Sequence, residues 1–225
     1  MNLLIWSSVT LAVFIAARWL FVRTRFPLFH PVLVSTLTLV ALVEICGQRY
    51  ADYGQGTQWL GWILGPGVVA MAVPVYHSRV LILKQVGLLL TVVLAALAFS
   101  VATTAGLLAL CGADRTIIQA LSLKAVTSAV AMAIAREVHA LPAVAGIGAM
   151  FAAVLGAAVG PWVLQRSGVS DPRAVGLALG CGSHAVGTAR AFELGPEQGT
   201  FASVGLSLTT LAAALICPAL FLWFA

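Results

Sequence analysis

The sequence predicts an all-α, polytopic membrane protein, and three observations carry that prediction. Hydrophobic residues make up 61% of the 225 positions and charged residues only 8%, with a mean hydropathy of +1.06. A soluble domain carries about 25% charged residues, so this chain lacks the material for a water-facing surface. Its apolar runs are long and continuous rather than alternating with period two, which excludes an outer-membrane barrel. Lys and Arg stand singly near the ends of those runs, as membrane topology requires. The expected location is a lipid bilayer, crossed several times.

The elements follow from the need for about 20 apolar residues per spanning helix. Residues 2–22 precede Arg23 and Arg25 and lack a basic start or a small-residue cleavage site, so they read as a retained first helix. Residues 31–47 form a second plain run, and 48–57 (QRYADYGQGT) a polar connection expected to be an interfacial loop. Segment 58–77 has spanning length but is interrupted by Gly61, Gly65, Pro66, Gly67 and Pro74. Plain runs return at 85–111, 142–165 and 199–224, separated by two more interrupted segments, 115–138 and 172–194. The expectation is one transmembrane domain, 1–225, of about eight membrane elements, several interrupted by Gly/Pro breaks. VVAMAV at 68–73 resembles AVAMAI at 129–134, a shift of 61 residues. Each copy follows a break and precedes a long plain helix. Such an internal repeat with interrupted helices is the pattern of secondary transporters.

The breaks carry the candidate site. An open backbone amide or carbonyl in hydrocarbon costs several kcal/mol, so an interruption at membrane depth needs protein, water or a ligand beside it. At Gly65-Pro66 the proline removes a donor and disfavours helix geometry in the residue before it. A kinked packing helix explains that pair equally well. Lys124 lies well inside the next interrupted segment, where a lysine costs about 2.5–3.5 kcal/mol and should face a cavity or a partner. Thr127 and Ser128 follow it, and a helix starting there would aim free amides and a positive dipole end at an anion. The strongest break is 176–195, GLALGCGSHAVGTARAFELG, where Gly182, Ser183, His184, Thr188 and Arg190 combine small size with donors. His184 and Thr188 are four apart, so a helix starting near Ser183 sets them on one side. Two bland readings compete here: snorkelling for Lys124, and a glycine-rich packing helix for 176–195. His184, titrating near neutral pH, is the first candidate for proton coupling. Glu44 is the second, unless it is an interfacial carboxylate paired with Arg49.

Other functions find no support in the sequence. The net charge of +5 is spread over single residues with no basic run interleaved with aromatics, so no nucleic-acid partner is expected. Cys46, Cys111, Cys181 and Cys217 form no CxxC pair, so neither a metal nor a redox cofactor is expected. Ser183 and His184 are chain neighbours rather than a nucleophile and base meeting across a fold. No GxSxG, HExxH or phosphate-loop motif occurs. No catalytic residue is therefore assigned, and the chain is not expected to be an enzyme.

LGPGVVAMAVPVY (64–76), LKAVTSAVAMAIAREV (123–138), GAMFAAVLGAAVGPWVL (148–164) and DPRAVGLALGCGSHAVGTARAFELG (171–195) resemble the LrgB/CidB family over roughly residues 28–222. The middle motif departs from the family pattern, lacking one proline and one hydroxyl around Lys124, although the lysine matches. The resemblance implies two different functions. Bacterial members are described as holin/antiholin-like regulators of murein hydrolase activity and cell lysis. Others, with the related plastidial glycolate/glycerate translocator, are linked to small monocarboxylates such as pyruvate, glycolate and glycerate. The sequence favours the second, because a lesion-forming protein has no use for several broken helices with buried donors. The expectation is an alternating-access carrier, proton-coupled and homodimeric, with an LrgA-like small membrane protein as a possible partner and the lipid bilayer as its setting.

Overall fold

The computed structural model describes residues 2–24, 29, 31–70 and 72–223, and among them every element is helical. The chain forms two compact units, Met1–Met71 and Ala72–Ala225. Among the described residues four helices are long and apolar enough to cross a bilayer, Ile5–Thr24, Val86–Leu110, Pro142–Arg166 and Pro196–Leu222, with Pro31–Ile45 a shorter apolar helix.

The first unit holds α1 (Asn2–Thr24), α2 (Pro31–Ile45) and α3 (Tyr50–Ala70). Two expectations are corrected here. Most of the polar stretch 48–57 is not a loop: from Tyr50 on it is the start of α3, which is held against α1. Ser7 Oγ donates to Gly56 O at 2.6 Å, Trp59 Nε1 donates to Ser7 Oγ at 2.6 Å, and Trp6 packs edge-on against Tyr53. Secondly, Gly65-Pro66 is no break, since α3 runs through both. Proline is tolerated inside membrane helices where neighbours re-satisfy the freed backbone groups. The second unit begins with the short α4 (Ala72–His77). Of the two stretches of the suggested repeat, 129–134 lies inside one helix, whereas 68–73 includes Met71, which lies outside the described residues.

The second unit continues through α5 (Arg79–Lys84), α6 (Val86–Leu110), α7 (Arg115–Ser122), a 3₁₀ turn (Leu123–Ala125), α8 (Ser128–Glu137), α9 (Pro142–Arg166), α10 (Pro172–Leu194) and α11 (Pro196–Trp223). Its interior is lined by alanines such as Ala120, Ala131, Ala135, Ala145 and Ala149. Between membrane helices, which lack a hydrophobic drive to associate, small residues give the close approach that dispersion needs.

Both interrupted segments turn back instead of crossing. In α10 the break is His184, with φ 46° and ψ −131°. A side chain at Gly187 would strike the carbonyl of Leu179, although eight residues of straight helix separate two positions by about 12 Å along the axis. Residues 185–194 therefore fold back beside residues 172–183. The neighbours agree. Side chains at Gly176 and Gly180 would strike the backbone of Gln198 and Ala202 of α11, in matching four-residue steps. The first half of α10 thus runs parallel to α11, which is possible only if the second half has returned to the face where α10 began.

The segment 115–138 does the same from the opposite face. Val126 and Thr127 are extended, with ψ of 169° and 149°, and end the helical path after the 3₁₀ turn. Lys124 Nζ donates to Thr104 Oγ1 of α6, setting α7 antiparallel to α6. Side chains at Gly148 and Gly146, in the first turns of α9, would meet Leu121 of α7 and Met132 of α8. Each hairpin arm of 8–12 residues covers about 12–18 Å, roughly half of a 30 Å hydrocarbon layer. Three helices of this unit, α6, α9 and α11, have full spanning length, and between them two hairpins enter from opposite faces.

The start of α10 is capped in the usual way. Asp171 Oδ1 accepts from the amides of Arg173 (2.8 Å) and Ala174 (3.0 Å), and Pro172 fills the first position, where no donor is needed. Asp171→Ala should lower stability by about 1 kcal/mol, read as a lower melting temperature of protein in nanodiscs. A melt unchanged from wild type would show that the cap contributes nothing.

Candidate solute site where two hairpin tips meet

The tips of the two hairpins touch. The His184 imidazole, 3% exposed, stands against the backbone of Lys124 and Ala125, and its Nε2 has no hydrogen-bond partner among the described residues. Thr188 Oγ1 donates to His184 O at 2.8 Å, so the four-residue spacing read from the sequence becomes the bond that satisfies the carbonyl at the break. Ser183 is buried against α9, where only Gly156 leaves room for its hydroxyl.

Two half-helices begin at this depth. One is α8, whose cap residue Thr127 makes no side-chain bond to the helix start. The other is the returning half of α10, which starts after His184. Helix starts expose unpaired amides and the positive end of the dipole. Lys124 places its ammonium there, hydrogen-bonded to a hydroxyl and with no carboxylate paired to it among the described residues. Its ammonium has three protons to donate, so two remain. Electrostatically the meeting point is suited to an anion.

A cavity of about 630 Å³ reaches this point. Its inner end is formed by Lys124, Ala125, Gly182, Ser100 and Thr209, and its outer end by Gln85, Asp171 and Arg173. The outer residues precede α6 and open α10, so the cavity runs inward from the face where those helices begin. Arg173 is held there by Glu197 at 2.8 Å.

The sequence-predicted residues divide clearly. Lys124 and Gly182 line the cavity together, Ser183, His184 and Thr188 form the buried tip beside it, and Thr127 and Ser128 open α8. Arg190 does not line the cavity. It lies in the last turns of α10 and pairs with Glu193 at 2.6 Å. Gly65, Pro66 and Glu44 belong to the first unit, and the Arg49 expected beside Glu44 pairs with Asp52 instead, at 3.4 Å. Sequence reasoning missed Thr104, Ser100 and Thr209. Ser100 and Thr104 are four apart in a mostly aliphatic helix, a spacing that puts two hydroxyls on one side and was available as a signal.

Opposed re-entrant hairpins between spanning helices, with polar groups at their tips, define a polytopic helical membrane protein. The LrgB-like family model matches residues 10–223, and the chain belongs to that family. It is 29% identical over 198 residues to a holin-like protein CidB of Staphylococcus epidermidis, covering 88% of this chain and 86% of the relative. It is 31% identical over 212 residues to an uncharacterized protein of Haemophilus influenzae (94% and 89% covered), and 30% identical over 210 residues to the uncharacterized protein YxaC of Bacillus subtilis (93% and 91%). No solved structure matches.

Proposed function

We propose that this chain governs the passage of solutes across the bacterial cytoplasmic membrane. Two forms of that role compete. The names of the CidB relatives support a holin-like role in membrane permeability and cell lysis, and they favour it over a carrier. One observation supports the narrower reading, a secondary carrier of small monocarboxylates such as glycolate, glycerate or pyruvate: two re-entrant hairpins meet tip to tip around a buried histidine and a lysine with no carboxylate partner among the described residues. Discontinuous helices whose half-helix starts face an anion at mid-membrane are the building plan of alternating-access carriers. A lesion formed by oligomerised helices needs no such centre.

In the carrier reading Lys124 and the start of α8 hold the carboxylate. His184 carries the coupling proton, with Glu44 the second candidate. Arg79, Lys84, Arg166 and Arg173 lie towards the face where the cavity opens, against Arg115 and Arg136 at the other, and the positive-inside rule supports a cytoplasmic position for the first face. A homodimer, with or without an LrgA-like partner, would give the moving elements a fixed frame.

Reconstituted liposomes separate the two forms. A carrier takes up labelled pyruvate or glycolate under an inward proton gradient and retains a trapped dye, and Lys124→Met lowers uptake at least tenfold. Dye leakage without saturable uptake would establish the holin-like form and dismiss the carrier.

A further inference from the structure

The cavity is much larger than the solutes named above. At about 30 Å³ for each liquid water, its 630 Å³ equals roughly twenty waters, whereas a two- or three-carbon acid needs only a few. Its walls are also of the wrong kind for a polyhydroxylated solute. Between the two polar ends lie Leu88, Leu89, Val92, Leu97 and Leu177, with Ala178 facing the open space. On α6, Leu89, Val92 and Ala96 recur at intervals of three and four and so form one continuous apolar stripe. Along α10, from Arg173 to Cys181, the stripe is about 12 Å long.

The polar groups are concentrated at the inner end. Lys124 is the one cation there and has protons to spare. Thr209, 2% exposed, lies beside the Cys181 thiol, and its hydroxyl has no stronger partner among the described residues. A thiol is a weak hydrogen-bond partner, so an oxygen ligand or water would satisfy that hydroxyl better.

We propose that this cavity binds a monocarboxylate bearing a hydrocarbon tail, with the carboxylate at Lys124 and the tail laid between α6 and the first half of α10. This rests on the reading of the hairpin tips as an anion site and narrows its substrate class. A carboxylate satisfies the lysine and meets the Thr209 hydroxyl. The tail covers leucine and valine surface that a hydroxyl-rich acid would leave wet or would enter without hydrogen-bond partners. Bound ligands of this kind typically occupy cavities of about 300–1,000 Å³ that are mostly apolar with a few placed polar groups.

The test is competition for binding of labelled octanoate to the full chain in nanodiscs, with empty nanodiscs subtracted for partition into lipid. Octanoate should compete at least tenfold better than acetate or glycolate. Lys124→Met should weaken octanoate at least tenfold, and Lys124→Arg should restore most of the loss. Ala178→Phe, which fills the tail region without touching Lys124, should bring the octanoate-to-acetate preference close to one. Glycolate competing as well as octanoate would overturn the proposal, as would octanoate binding unaffected by both Lys124→Met and Ala178→Phe. Liposome uptake keeps the two readings apart. Glycolate uptake without octanoate binding removes the tail and leaves the carrier, whereas octanoate binding at Lys124 without any uptake removes the carrier and leaves the site.

Discussion

Gly180→Val should destabilise the second unit by about 3 kcal/mol or prevent its accumulation in the membrane, while Gly182→Ala, two residues on, should leave stability unchanged or slightly raised. A Cβ at Gly180 would occupy the carbonyl position of Ala202 on α11, and one at Gly176 would do the same at Gln198. Overpacking typically costs 1–3 kcal/mol when side chains can rotate away. Here the obstacle is backbone, so the helices must separate, and with them the parallel register that returns α10 to its own face. Around Gly182 nothing lies within 4 Å and its φ is not positive, so an added methyl meets only the cavity and removes unfolded-chain entropy worth about 0.4–1 kcal/mol. The measurement is thermal unfolding of nanodisc-embedded protein followed by tryptophan fluorescence. Equal melting temperatures for the two variants would refute the packing assignment.

The contrast between these two glycines marks how far the sequence could be read. Hydropathy located α1, α2, α6, α9 and α11 within a few residues, because each is an uninterrupted apolar run. The breaks in 115–138 and 172–194 were legible for the same reason inverted, since polar and glycine-rich residues at membrane depth have to be accommodated. Three things were not legible. Tyr53 and Gly56 look like loop residues until their partners on α1, some 40–50 positions away, are known. Re-entry was hidden, because a segment of 23 residues has the same length whether it crosses or folds in half. The roles of the glycines were also indistinguishable. Gly176 and Gly180 serve close packing, Gly187 makes room for the returning arm, Gly182 lines open space, and none of these four supplies the unusual backbone angle. That falls to the residue a sequence reader would never choose for it, His184.

At His184, glycine should be more stable than alanine, reversing the order that holds in a helix. With φ 46° and ψ −131°, the residue lies where an L side chain crowds its own backbone, at about 1–3 kcal/mol of strain. His184→Gly and His184→Ala both remove the imidazole and differ only by a methyl group. In an ordinary helix interior alanine is favoured by about 1 kcal/mol; here glycine should be favoured by about 1–3 kcal/mol, read as the difference between the two melting temperatures in nanodiscs. Alanine melting above glycine would mean that the chain does not turn at residue 184, and the re-entrant form of α10 would fall with it. The reversal also bears on function. Glycine abounds in this segment and would suit the turn better, yet the position holds a histidine, buried with Nε2 unpaired against the tip of the facing hairpin. Strain of this kind persists where the surroundings over-determine it, typically at functional sites. If the imidazole works in coupling, both variants lose gradient-driven uptake, including the one whose backbone is relaxed. A glycine variant that is more stable than alanine and still concentrates substrate would separate the two roles, leaving His184 as a turn residue and moving the coupling proton elsewhere.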